Sequence, residues 1–142
     1  MQQHGEFKIW RDARVVCVYL NGSWNRETAV EFSEQFKRAC SPLLDGNKWA
    51  QVAYFDDWEL GVPEIEPVIR QFIEWARDHQ LTHIAHVYRP SKIKRYQLNK
   101  MIPDNFGSIV RRRFELDESA FAWLAEQGFL TTGINSQRVS YK

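Results

Sequence analysis

Two short β-rich stretches open the chain. Residues 7–10 and 15–20 flank the polar Arg11-Asp12-Ala13-Arg14, a spacing that predicts an antiparallel hairpin. Asn21-Gly22-Ser23 then breaks the second strand. Over 26–40 the period changes. Ala29, Phe32, Phe36 and Ala39 recur at helical intervals, with Glu27, Glu31, Glu34, Lys37 and Arg38 supplying the polar surface. That is the apolar stripe of an amphipathic helix. Ser41-Pro42 ends it, and Asp45-Gly46-Asn47-Lys48 forms a turn.

Residues 49–55 are a short apolar run that leads into Asp56-Asp57-Trp58-Glu59, the pattern of a buried strand ending in an acidic loop. After Gly61-Val62-Pro63, the positions Ile65, Val68, Ile69, Phe72, Ile73 and Ala76 make a second apolar helical face, continuing to about His79. Pro67 falls in its first turn, where proline is tolerated. A strand over 81–88, a weaker helix over 91–102 and a strand over 108–116 follow. Asp117 is placed to cap a last helix through Gln127, stopped by Gly128.

The predicted order is β-β-α-β-α-β-α-β-α. Alternating strands and helices imply an α/β fold with a mixed, mostly parallel sheet, to which the opening hairpin adds one antiparallel pair. Arg111, Arg112 and Arg113 within the last strand suit a sheet edge, where charge discourages pairing with another molecule. Residues 1–130 read as a single domain and 131–142 as a polar C-terminal tail.

Composition narrows the function classes. A chain of 142 residues that is 14% aromatic can bury a core without disulfides or metal. A net charge of +1 creates no global field of the kind that marks a nucleic-acid binder. With no signal-peptide pattern and no apolar run of spanning length, the expectation is a cytoplasmic protein that is not transmembrane. Cys17 and Cys40 lack Cys-x-x-Cys spacing, so buried free thiols are expected. No Gly-rich phosphate loop, His-Glu-x-x-His helix or nucleophile elbow is present, which points to a non-enzymatic protein without a cofactor.

The element order, together with Leu20-Asn21-Gly22-Ser23-Trp24-Asn25-Arg26-Glu27-Thr28-Ala29, resembles the STAS family, which includes the bacterial anti-sigma-factor antagonists (SpoIIAA-like proteins). Gly22, Thr28 and Ala29 match the family's turn into the first helix, whereas Trp24 and Asn25 stand where Leu and Asp are usual. The resemblance implies a regulatory or protein-interaction module. In the antagonists a serine at the start of the second helix is phosphorylated. The stretch 60–67 here contains no serine or threonine, so the resemblance implies a divergent bacterial member without that switch.

Candidate sites follow from the loops. Asp56 and Asp57 lie at the carboxyl end of a central strand, where open α/β sheets place ligands. They could share a site only if the loop turns between them. With a metal they would give the alternative of a metal-dependent enzyme, although no metal-ligand motif is present. Trp24 and Trp58, if exposed beside Asn21, Asn25, Asp56 and Asp57, would form an apolar docking patch for a protein partner, and buried packing is the equal alternative. Arg89, Ser91 and Lys92 at a helix start make a possible anion site. Opposite charges from 56–74 and 89–113 could instead simply pair. Phe32, Phe36, Phe72 and Trp75 offer material for an apolar pocket, the alternative of a lipid or small-ligand carrier. His83 and His86, three apart in a strand, face opposite sides and cannot form a simple metal pair.

Overall fold

The computed structural model describes residues 5–59, 61–102 and 107–132. Strands β1 (Glu6–Asp12) and β2 (Val15–Asn21) form the expected hairpin, paired antiparallel from Glu6↔Asn21 to Asp12↔Val15. Only Ala13 and Arg14 make the turn, with Ala13 at φ +54°, as the twist of a two-residue hairpin requires. Arg11 and Asp12, expected in the turn, belong to β1. Arg14 donates from Nε to the Lys48 carbonyl at 2.8 Å and from Nη1 and Nη2 to the Asp45 carboxylate at 3.0 and 2.9 Å. The hairpin tip therefore holds the loop that enters β3. A backbone N–H from Asn47 and the Arg14 guanidinium keep the Asp45 carboxyl below its ordinary pKa.

Helix α1 (Arg26–Cys40) and a 3-10 turn (Ser41–Leu43) lead to β3 (Trp49–Tyr54), followed by α2 (Ile65–Asp78) and β4 (Leu81–Val87). Helix α3 (Lys92–Met101), β5 (Val110–Phe114) and α4 (Asp117–Glu126) complete the chain order. The five-stranded sheet runs β1-β2-β3-β4-β5, and every pairing after the first is parallel. This is the predicted mixed α/β architecture. Strand β5, with its three arginines, is the edge anticipated from sequence.

Each parallel crossover steps one strand in the same direction, so connections of the usual right hand carry α1, α2 and α3 to one face. Their buried side chains, including Ala29, Phe32, Phe36, Ile69, Phe72, Ile73, Leu98 and Met101, meet Val16, Val18, Ala53 and Ile84 of the sheet. On the opposite face α4 brings Ala120, Trp123 and Leu124 against Cys17, Val52, Ala85 and Val87. The central strands are covered on both sides, which is why β3 reads as a continuous apolar run. His83 packs near Trp123 and Phe129 on the α4 face, while His86 is buried against Phe55 on the other, the opposition that strand alternation demands.

Helix starts depart from expectation in one case. Asp117 is the first residue of α4, and Leu116 occupies the N-cap position without a side-chain bond. Asp117 instead accepts from the Tyr54 hydroxyl at 3.3 Å. At α1, Asn25 caps the helix by accepting from the Thr28 backbone N–H at 3.0 Å and from its hydroxyl at 2.9 Å. Asn25→Ala is expected to cost about 1 kcal/mol in chemical denaturation, the usual loss for a missing cap. An unchanged midpoint would show that the bond carries nothing.

Cys17 and Cys40 are buried free thiols whose pKa values burial raises. Thr132, assigned from sequence to the polar tail, donates from its backbone N–H and hydroxyl to the Asp12 carboxylate at 2.9 and 2.8 Å. The remainder of that tail, 133–142, lies outside the described residues, as does Leu60 of the 60–67 stretch. No helix among the described residues is long and apolar enough to cross a membrane.

Candidate functional site

The carboxyl ends of β2, β3 and β4 and the β5–α4 connection enclose an open cleft of about 470 Å³. Tyr19 and Tyr54, direct partners in the β2–β3 register, form its floor. Two residues beyond Tyr54 the chain turns, so that Asp56 and Asp57 both border the cleft, and Glu115 and Asp117 reach it from the far side. The condition set by strand alternation, a turn between the two aspartates, is therefore met.

Hydrogen bonds hold these groups in place. The Tyr19 hydroxyl donates to Asp57 Oδ2 in a short contact, and Asn21 Nδ2 approaches the same hydroxyl at 3.4 Å. Asp56 Oδ1 accepts from the Arg89 backbone N–H at 2.8 Å, with Arg89 Nε 3.8 Å away. Lys94 Nζ donates to the Asp56 carbonyl at 2.8 Å. Four carboxylates thus line the cleft with one guanidinium, and Lys94 stands at the Asp56 backbone, a balance complementary to cations such as lysine or arginine side chains. Among the described residues no three His, Cys, Asp or Glu side chains converge in a way that could hold a metal ion.

The two tryptophans do not belong to this surface. Trp24 and Trp58 are 1% and 2% exposed, so of the two readings open for them, a docking patch and buried packing, the docking patch is overturned and buried packing holds. The cause lies in the backbone of the two loops. Gly22 N–H donates to the Asp57 carbonyl at 3.0 Å, Glu59 N–H to the Gly22 carbonyl at 3.0 Å, and Val62 N–H to the Trp24 carbonyl at 3.1 Å. These bonds form a small parallel bridge between Gly22 and Trp58 and turn both indoles inward. Gly22 sits at φ +75°, with room for an added Cβ only 3.0 Å from the Gly5 Cα, so glycine is needed at this crossing.

The aromatic supply offered for an apolar pocket is spent on packing. Phe36 lies edge-on to Phe72 at 4.6 Å, Phe32 to Phe72 at 5.5 Å, and Trp75 stacks on His79 at 4.5 Å. The cavity left beneath the helices is about 30 Å³, room for a water rather than an acyl chain unless the helices part. Its wall includes Gln51 and Trp58, whose Oε1 and Nε1 have no partner among the described residues.

The proposed anion triad is divided. Arg89 turns toward Asp56, whereas Ser91 caps α3 by accepting from Lys94 N–H at 3.2 Å. Ser91 and Lys92 instead share a recess with Arg95 and Arg113. The expected pairing of charges is met for Arg89 with Asp56 and for Lys100 with Glu66 at 3.6 Å, but among the described residues not for that recess. Tyr19, Tyr54, Glu115, Leu116 and Asp117 are site residues that sequence reasoning missed. The two-residue step from Tyr54 to Asp56 was a usable signal, since that spacing places both on one face.

No family model matches the chain, and no curated protein matches it. Solved structures do. An uncharacterized DUF3478-family protein with a SpoIIAA-like fold from Shewanella loihica PV-4 superposes with a TM-score of 0.66 at 10% identity, covering 87% of this chain and 96% of that one. The Bacillus cell fate determinant SpoIIAA in its phosphorylated form matches with a TM-score of 0.52 at 11% identity, over 81% of this chain and 96% of its own. The five-stranded mixed sheet and its four helices are a SpoIIAA-like, STAS-type fold.

Proposed function

We propose that the chain is a non-enzymatic, STAS-like interaction module that docks a protein partner at the carboxyl end of its sheet. The observation that carries this reading is the convergence of Asp56, Asp57, Glu115 and Asp117 on one open cleft. The partner surface that fits it presents lysine or arginine side chains, and the exposed Leu116 at the rim adds an apolar contact. The structural neighbours fit a regulatory role, and one of them is named as a cell fate determinant. A phosphoserine switch at the start of α2 has no residue to act on here, since 60–67 lacks serine and threonine.

The test is retention of a partner from native cytosol on immobilised protein. Asp57→Asn with Glu115→Gln is expected to weaken retention roughly two- to fivefold per carboxylate, as for ion pairs at an interface rim. Raised salt should act in the same direction. Retention that is unchanged by both substitutions and by salt would remove the cleft from the interface.

A further inference from the structure

On the other side of Tyr88 from the acidic cleft, α3 and the edge strand β5 enclose a groove made of two adjoining recesses of about 320 and 120 Å³. Tyr88, Arg95 and Arg113 line both. Lys92 and Ser91 belong to the smaller recess and Arg111 to the larger. Lys92 and Arg95 lie three apart on α3, on one face of the helix, while Arg111 and Arg113 lie two apart on β5, on one face of the strand. The topology thus gathers four cations on two facing walls.

Arg113 Nη1 donates to the Tyr88 carbonyl at 3.0 Å, and its guanidinium lies over the Tyr88 ring at 5.4 Å. Arg111 Nη2 donates to the Asn99 side-chain carbonyl, and Nη1 lies 3.4 Å from His86 Nδ1. The Tyr88 carbonyl fixes the Arg113 guanidinium plane without neutralising it. Among the described residues no carboxylate pairs with Lys92, Arg95 or Arg113. Like charges held this close repel one another, and an anion between them relieves that repulsion.

We infer that the α3–β5 groove is a binding site for a phosphate-bearing ligand, seated between Arg95 and Arg113. Arginine suits this role because its planar fork meets two phosphate oxygens at once. Two recesses joined through Arg95 and Arg113 provide for two neighbouring phosphate groups, so a diphosphate fits better than a single phosphate.

Pyrophosphate is the probe. Calorimetric titration is expected to show saturable binding tighter than for inorganic phosphate, together with a rise in Tm, since a ligand of the native state stabilises it. Arg95→Gln and Arg113→Gln should each weaken binding at least about tenfold, the loss of a charged hydrogen bond. Both side chains are exposed, and circular dichroism verifies the fold. Lys37→Gln on α1 removes the same charge elsewhere and should leave binding unchanged. Vesicles containing phosphatidic acid distinguish sources: co-sedimentation abolished by Arg113→Gln assigns the phosphate to a lipid headgroup, and its absence assigns it to a soluble ester. No saturable binding, equal binding by the arginine variants, or tighter binding of a single-stranded oligonucleotide than of pyrophosphate would overturn the inference.

Discussion

Trp24→Ala is expected to lower the unfolding free energy by about 3–5 kcal/mol, the cost of removing a large aromatic side chain from a packed core. Trp24 is 1% exposed and touches Phe7 and Phe32, with ring centroids 5.8 and 5.3 Å away. Its Nε1–H donates to the Asn21 carbonyl at 3.2 Å, a hydrogen bond that alanine also removes. With a denaturant slope of about 2 kcal/mol/M, the urea midpoint should fall by roughly 2 M. Trp24→Phe keeps most of the ring contacts and should lose much less. A near-normal midpoint for Trp24→Ala would mean that the indole is not part of the core. Loss of partner binding by this variant would reflect unfolding, which is why the carboxylate substitutions provide the cleaner test of the docking surface.

Acid is expected to destabilise the fold from about pH 6.5 downward through His86. This imidazole is buried, and burial first, then the neighbouring Arg111 charge, depresses its pKa well below the ordinary histidine value. Arg111 Nη1, 3.4 Å away, opposes a second positive charge, and the Phe55 ring at 4.9 Å offers no counter-ion. In the native state the ring stays neutral, while the unfolded chain takes up a proton near pH 6.5. The native advantage is therefore intact above that pH and declines as pH falls toward the depressed native value. Between pH 7.5 and 5.5 His86 therefore lowers the stability of the fold. His83, also depressed by burial, acts in the same direction. Denaturation curves at the two pH values check this: His86→Gln should remove most of the difference, and an undiminished difference would assign it to other groups.

Much of the fold was legible because the period of apolar positions changes cleanly between elements. The 26–40 stripe and the 49–55 run each match one kind of burial, a single face for α1 and two faces for β3. Loops were less legible. A tryptophan just after a strand reads equally as exposed or as buried, and only the backbone bonds joining Gly22, Trp24, Asp57, Glu59 and Val62 show that the two loops brace each other over buried indoles. Tyr19 and Tyr54 escaped notice because their adjacency depends on the β2–β3 register, which one strand at a time does not reveal. The basic stretch was visible as charge, but its division was not. Arg89 precedes α3 and follows the strand direction toward Asp56, while Lys92 and Arg95 turn with the helix toward β5. Asp117 was a reasonable cap by residue type, yet Tyr54 offers its carboxylate a donor from the sheet.

The strand order β1-β2-β3-β4-β5 also bears on how the chain is built. Each strand joins the edge left by the one before it, so none has to be inserted between strands already paired. As synthesis proceeds from the N-terminus, the hairpin can assemble without later sequence, and every following strand–helix unit finds its docking edge already present. Loop closure at each step spans one crossover only, which keeps the entropy lost before each new contact small. The last unit added, β5 with its three arginines, then closes the growing series with an edge that its charge makes unfavourable for a sixth strand.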